Sequence, residues 1–315
     1  MRIVFIVFIC ATVSYAADLR LGIIGTDTSH VTAFTKTLND PMASDHVAGA
    51  RVVVAYKGGS ADIESSRTRV DGYAQELQDK WGVKIVDSIA KLCPEVDGIL
   101  LESVDGRPHL AQMREAVACG KPVFVDKPLA STLEDARAIA RVAKDAGVPW
   151  FSSSSLRFGE VQKLRGGNLE GVSTWGPGPL EEHHQLDLSW YAIHPIEMLY
   201  TIMGMGCQEV TRTSTADADV LVGRWSDGRI GTVRALRPYS SYGAVAFRKP
   251  EGKGNVTTQI VEESHVGYGE LVREIVRFME TKQPPVPNDE TLEIFSFMDA
   301  AQRSKEAGGR PMTLR

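Results

Sequence analysis

Gly120-Lys121-Pro122-Val123-Phe124-Val125-Asp126-Lys127-Pro128-Leu129-Ala130 is the stretch that decides the fold. A short apolar run ends there in an acid, a lysine and a proline, and a helical pattern follows. Ser131 and Glu134 have capping-box spacing, Leu133, Ala136, Ile139, Ala140 and Ala143 share one face over Thr132–Ala146, and Gly147 and Pro149 end the segment. A strand feeding an amphipathic helix is one unit of a parallel sheet. A lysine at the carboxyl end of such a strand points into the crevice where open parallel sheets bind ligands, and the proline fixes the backbone beside it. Lys127 is therefore the first candidate site residue.

The same alternation extends to both sides. Strands are expected at Leu19–Gly25, Arg51–Tyr56, Val83–Val86, Gly98–Glu102, Pro122–Val125 and Pro149–Ser152, with helices between them. Six such strands make a doubly wound Rossmann domain over residues 17–154. Ser152 to Ser155 read as a polar hinge, because no G-x-S-x-G elbow surrounds them. Beyond Phe158 come a glycine-rich stretch and a helix around Tyr191–Met203. Strand-like runs follow at Glu209–Ser214, Asp219–Trp225, Ile230–Leu236 and Val256–Val261, then helices at Tyr268–Glu280 and Thr291–Glu306. Residues 155–315 are thus expected to form a second, α+β domain with a largely antiparallel sheet, and the whole chain is of the α/β class.

The composition suits two globular cores: 315 residues, 43% hydrophobic and 24% charged. A net charge of −5 with no basic block excludes the electrostatic footprint of nucleic-acid binding, leaving a small molecule as the expected partner. Residues 1–16 read as a secretory signal peptide: Arg2, an apolar run from Ile3 to Val13, and small residues before Ala17. The run is too short to span a membrane, so an exported, periplasmic or extracellular protein is expected. Cys93, Cys119 and Cys207 then remain. Their scattered spacing fits neither a disulfide framework nor a zinc site and reads as three small buried hydrophobes.

At the first strand-to-helix turn stands Gly22-Ile23-Ile24-Gly25-Thr26-Asp27-Thr28-Ser29-His30, where a dinucleotide diphosphate would meet a helix N-terminus. Asp27 and His30 occupy the second and third glycine positions of G-x-G-x-x-G. A carboxylate at Asp27 would narrow the backbone approach and repel a phosphate, or else cap the helix. Thr26, Thr28 and Ser29 offer hydroxyl donors in place of bare amides. Lys57, at the end of the second strand, stands where an acidic residue would bind the ribose of NAD, and it suits the 2′-phosphate of NADP.

The lysine segment resembles the Gly-Lys-x-Val-x-x-Glu-Lys-Pro-Leu-Ala signature of the Gfo/Idh/MocA oxidoreductases, with Asp126 for Glu. His109, Arg157-Phe158, Ala300-Ala301-Gln302-Arg303-Ser304 and Pro311-Met312-Thr313-Leu314 are similar to further landmarks of that family. Trp190-Tyr191-Ala192-Ile193-His194-Pro195-Ile196-Glu197 resembles its Asp-x-Gly-x-His-x-x-Asp, with Trp190 at the first Asp. The resemblance implies a bound NAD or NADP touching Gly22, Gly25, Thr26, Asp27, Thr28, Ser29, Lys57, Asp126 and Lys127. It implies Lys127 and His194 as catalytic residues, Arg157, Trp190, Tyr191 and Glu197 around the substrate, and a homo-oligomer. Glu181, Glu182, His183, His184 and Asp187 form a polar cluster without the spacing of a metal site, so no metal is expected.

The leading expectation is hydride transfer between a nicotinamide cofactor and a sugar or sugar-like polyol. Two others stand beside it: a redox-neutral lyase or glycosidase with tightly held NAD(P), and a non-catalytic carbohydrate-binding protein that has lost the dinucleotide.

Overall fold

The computed structural model describes residues 17–263 and 267–315. The signal peptide expected over residues 1–16 lies outside the described residues.

The N-terminal domain alternates strand and helix: β1 (Leu19–Ile24), α1 (Ser29–Asn39), β2 (Ala50–Tyr56), α2 (Glu64–Arg67), α3 (Val70–Trp81), β3 (Lys84–Val86), α4 (Ile89–Leu92), β4 (Gly98–Leu101), α5 (His109–Ala116), β5 (Val123–Val125), α6 (Leu133–Asp145) and β6 (Trp150–Ser152). The six strands form one parallel sheet in the order β3-β2-β1-β4-β5-β6, the doubly wound arrangement, which places a ligand crevice at the carboxyl ends of β1 and β4. Ile99 and Leu101 face one core cluster while Leu100 faces the other, as side chains of a sheet covered on both faces must. The α6 cap differs from expectation by one residue. The Thr132 hydroxyl, rather than that of Ser131, accepts from the Asp135 amide.

The C-terminal domain holds β7 (Leu169–Pro177), α7 (Ile193–Met203), β8 (Cys207–Ser214), β9 (Ala218–Trp225), β10 (Ile230–Leu236), β11 (Tyr242–Arg248), β12 (Thr257–Glu263), α8 (Gly269–Thr281), α9 (Asn288–Glu306) and β13 (Met312–Thr313). Its seven strands run β12-β11-β7-β10-β9-β8-β13, antiparallel except for the β7–β10 pair. Every residue of α7 is buried, because it packs between this sheet on one side and α9 and the short turns Ser155–Phe158 and Glu160–Leu164 on the others.

Two expectations need correction. The domains are not divided by one cut at residue 154: α8 returns to the Rossmann domain, where Leu271, Val272, Ile275 and Phe278 complete the core around Leu21, Phe34 and Phe124. Cys93 and Cys119 are also not separate hydrophobes. They form a disulfide with Cα atoms 4.9 Å apart, because the short helical turns Cys93–Glu95 and Val117–Cys119 pack together. Cys207 is free and buried. Among the described residues, no helix is long and apolar enough to cross a membrane.

Candidate active site

A cavity of about 520 Å³ opens beside the carboxyl ends of β1 and β5, where the two domains meet. Thr28, Ser29, His30, Arg69 and Lys127 line it from the Rossmann side. Trp190, Tyr191, His194 and Tyr242 face them from the other domain. Lys127 is brought there by β5: the Asp126 amide donates to the Leu101 carbonyl at 2.8 Å, extending the parallel ladder to the last residue before the lysine. Its Nζ lies 5.5 Å from the centroid of the Tyr191 ring. Burial lowers the Lys127 pKa; Asp126 opposes that shift and Arg69 adds to it. An ammonium so placed gives up a proton more readily than one in water.

His194 comes from the first turn of α7, and its Nδ1 is 2.7 Å from Ser154 Oγ. Burial drives its pKa well below the usual range, and Lys127 and His30 add to the shift, so the ring is neutral at neutral pH. Where Ser154 accepts from Nδ1–H, Nε2 is left as a proton acceptor. The serine run is therefore more than a hinge. Ser154 orients His194, and Ser153 donates to Glu197 at 3.1 Å.

The sequence did not mark His30 as a site residue, yet it lines the cavity with its Nδ1 2.6 Å from Asp126 Oδ2. Its ring stacks on Phe34 at 5.4 Å and tilts against Tyr268 at 4.9 Å. Burial would raise the Asp126 carboxyl, but His30 and Lys127 outweigh it and hold the group below its usual range. Arg69 and the loop residues Tyr239, Ser240 and Ser241 were missed as well, having no motif around them. The one available signal was the Tyr239-Ser240-Ser241-Tyr242 run, dense in hydroxyls.

Other expected residues lie elsewhere. Arg157 and Glu197 do not line the cavity. They pair at 2.9 Å in a buried cluster with Glu290, because an arginine and a glutamate at this depth need each other. Gly22 lies within β1, where a Cβ would sit 2.7 Å from Leu92 and 2.8 Å from Val96, so it serves sheet packing rather than ligand approach. His109 is fully buried, with Nε2 2.8 Å from the Ser103 carbonyl and Nδ1 3.1 Å from that of Leu129, a brace beneath the site. The polar cluster is divided among separate contacts: His183 with Glu181, His184 with Asp105, and Asp187 with Arg212 and Lys305.

Asp27 neither caps α1 nor faces a phosphate. Thr28 is the cap, and Asp27 is fully buried, with Oδ1 accepting from the Val104 amide at 3.0 Å and Oδ2 from Ser66 Oγ at 2.6 Å. Gly25, at φ +92°, lies so close to the next turn that a Cβ would come within 2.3 Å of Ser103 Oγ. A second hollow of about 410 Å³, lined by Tyr56, Lys57, Gly58, Pro108 and Gln112, lies at the carboxyl end of β2. Lys57 there pairs with Asp71 at 2.7 Å.

This arrangement bears on a dinucleotide. The first turn of α1 opens on the cavity through Thr28, Ser29 and His30, which fits an anionic group, and the β2 hollow fits a nucleoside. Between them, Thr26 and Asp27 have no exposed surface. Residues 58–69 cross the turn as a strap, held by Asp27–Ser66, by Ser60–Asp105 at 2.5 Å and by the Asp62–Arg107 pair at 2.8 Å. The residues fit the group at both ends, and the strap must lift for one molecule to span them.

Such a fold and site define a two-domain protein with a Rossmann crevice facing a pocket built by an antiparallel-sheet domain. Residues 19–153 match the Gfo/Idh/MocA family, described as an oxidoreductase family with an NAD-binding Rossmann fold. A 1,5-anhydro-D-fructose reductase of Ensifer adhaerens is 34% identical over 118 residues, 37% of this chain and 34% of the relative. An inositol 2-dehydrogenase of Paracoccus denitrificans is 33% identical over 132 residues, 41% of this chain and 34% of the relative. The matches thus span about a third of each relative's length. The fold likeness is wider: a probable dehydrogenase of Thermotoga maritima superposes with TM-score 0.76 at 20% identity, over 94% of this chain and 99% of that one. A myo-inositol dehydrogenase of Corynebacterium glutamicum gives 0.71 at 18%, over 95% and 99%.

Proposed function

We propose that the protein is a nicotinamide-dependent oxidoreductase acting on a sugar or polyol. The observation that carries this reading is the convergence of Lys127 and His194, from different domains, on one cavity at the carboxyl end of a Rossmann sheet. When bound, NAD or NADP would supply the hydride acceptor or donor; Thr28, Ser29 and Lys127 would hold its nicotinamide half, and Lys57 and Gly58 its adenosine half. The chain's own residues do the rest. Lys127 holds the reacting oxygen by a charge-assisted hydrogen bond, and His194, neutral and anchored by Ser154, takes the hydroxyl proton as a carbonyl forms or returns it in the reverse direction. Tyr191, Trp190 and Tyr242 present aromatic surface to the apolar face of a sugar ring, and Ser240 and Ser241 offer hydroxyls to its rim.

The test is calorimetric titration of the purified protein with NAD+ and with NADP+, followed by near-ultraviolet assay of cofactor reduction against a panel of polyols. Saturable dinucleotide binding with polyol-dependent reduction supports the reading. The covered Thr26–Asp27 backbone favours a second reading, a carbohydrate-binding protein without dinucleotide, which predicts sugar binding and no nucleotide binding at all.

Export is proposed as well. The apolar run of residues 3–13 supports it, and so does the Cys93–Cys119 disulfide, a bond that persists in oxidising compartments. N-terminal sequencing of the mature protein decides it, with Ala17 the expected first residue.

A further inference from the structure

Several interior arginines of this protein have carboxylate partners. Arg107 pairs with Asp62 and Asp105, Arg157 with Glu197 and Glu290, and Arg212 with Asp187 and Asp219. Arg69 and Lys127, the two cations that line the central cavity, have no carboxylate ion pair among the described residues. Among the described residues, the Arg69 side chain's one hydrogen bond runs from Nε to the Ser65 carbonyl, one helical turn earlier, which leaves the outer guanidinium nitrogens without a partner. The Lys127 ammonium has the Tyr191 ring beneath it and no carboxylate bonded to it. Arg69 is not there by accident of a floppy surface chain. The strap fixes its position, since Ser66 is tied to both Asp27 and the Ser60 amide, and Val70, the next residue after Arg69, accepts from Thr26 Oγ1 at 3.0 Å.

Two half-buried cations facing one cavity are costly unless an anion completes them. Glu263, the acidic side chain among the lining residues, lies against Gly159 and forms no ion pair with Arg69 or Lys127, and burial raises its pKa. The other lining residues are Val104, hydroxyl-bearing and aromatic side chains, and the imidazoles of His30 and His194.

We propose that the substrate is an acidic sugar, a uronate or aldonate, whose carboxylate is held by the Arg69 guanidinium while Lys127 keeps the reacting hydroxyl oxygen and the remaining hydroxyls meet Tyr239, Ser240 and Ser241. The proposal rests on the oxidoreductase reading for the reaction but not for the binding. A guanidinium fork suits a planar carboxylate, and the diphosphate of a dinucleotide is the other anion that could meet it.

The experiment separates these sources. Wild-type protein and Arg69→Gln are titrated with D-glucuronate, D-gluconate, D-glucose and D-glucitol, each with and without saturating NAD+, and both proteins are titrated with NAD+ itself. Thermal melts check that the variant is folded, and Arg69→Lys tests whether charge alone suffices. Expected is a preference of about tenfold or more for acid over neutral sugar in the wild type, the scale of one charge-assisted hydrogen bond, collapsing in Arg69→Gln and partly kept in Arg69→Lys, with NAD+ affinity unchanged. Equal binding of acids and neutral sugars, or no binding of any of the four, overturns the proposal. So does a loss of NAD+ affinity in Arg69→Gln with the acid preference intact, which would assign Arg69 to the diphosphate. An Arg69-dependent acid preference in a protein that binds no NAD+ supports the acid site and overturns the oxidoreductase reading alone.

Discussion

Asp126 holds two elements of the site at once: Oδ2 lies 2.6 Å from His30 Nδ1, and Oδ1 accepts the amide of Lys127 at 2.9 Å. The first turn of α1 and the end of β5 are thereby locked together beneath the cavity. Asp126→Asn keeps the shape and removes the charge, and it should destabilise the protein by about 1–3 kcal/mol at neutral pH. Because the folded carboxyl lies below its unfolded value of about 3.9, this contribution is present above that pH and is lost as pH falls through the folded value. Urea unfolding of both proteins at pH 7, pH 4 and pH 2.5 checks it, with the difference kept at pH 4 and shrinking at pH 2.5. Equal stability at pH 7 would mean the pair carries no net energy.

Asp27 gives a prediction opposite to what its sequence position suggests. Replacing a carboxylate at a glycine position of the phosphate turn should relieve repulsion, yet here the side chain bonds Ser66 and the Val104 amide in the interior. Asp27→Gly should therefore cost about 2–4 kcal/mol, two buried partners being left unmet, and should not tighten dinucleotide binding. Thermal melting paired with NAD+ titration reads both. A tighter-binding, equally stable variant would contradict the geometry.

The strap should control access to the turn beneath it. Arg107 forks onto Asp62 while also bonding Asp105, so Arg107→Ala removes the outer latch without touching the cavity wall. Stopped-flow measurement should show dinucleotide association several-fold faster in the variant. Unchanged rates would show that the strap opens without help or does not block the path.

Glu102 follows β4 and is fully buried, and neither carboxylate oxygen has a hydrogen-bond partner among the described residues. Burial raises its pKa well above normal, and the nearby Asp126 adds to this. A group whose folded pKa is raised keeps its contribution at low pH and loses it as pH rises through the folded value, so the wild type is penalised most in base. Glu102→Gln should then gain stability relative to wild type as pH increases, by up to about 1.4 kcal/mol per pH unit in the titrating range. Melting curves between pH 5 and pH 9 would show the two proteins diverging; parallel curves would mean that Glu102 is not the titrating group.

The strands of the Rossmann sheet were legible because they are buried on both faces and read as continuous apolar runs ending in turn residues, as at Val123–Val125. β7 and β11 were not. Leu169–Pro177 carries two glycines and Tyr242–Arg248 one, and glycine reads as loop although Gly243 is needed where Trp175 crosses it, 2.0 Å from an added Cβ. In the site, Lys127 and His194 were legible from residue type at a strand end and from resemblance. Arg157 and Glu197 were misplaced because a buried ion pair and a substrate contact look alike in one dimension. His30 and Arg69 were missed because their importance comes from Asp126, 96 residues away, and from a strap whose path only the folded chain reveals. The Cys93–Cys119 pair escaped for the same reason.

The central claim, that Lys127 and His194 perform proton chemistry on one substrate carbon, is tested most directly by kcat/KM of Lys127→Met on the best polyol or sugar acid found, with the melting temperature measured alongside. A loss of about 10²–10⁴-fold is expected with melting nearly unchanged, since the ammonium faces a cavity and packs on one tyrosine ring. Loss of activity only in proportion to loss of folded protein would contradict it and assign Lys127 to the scaffold.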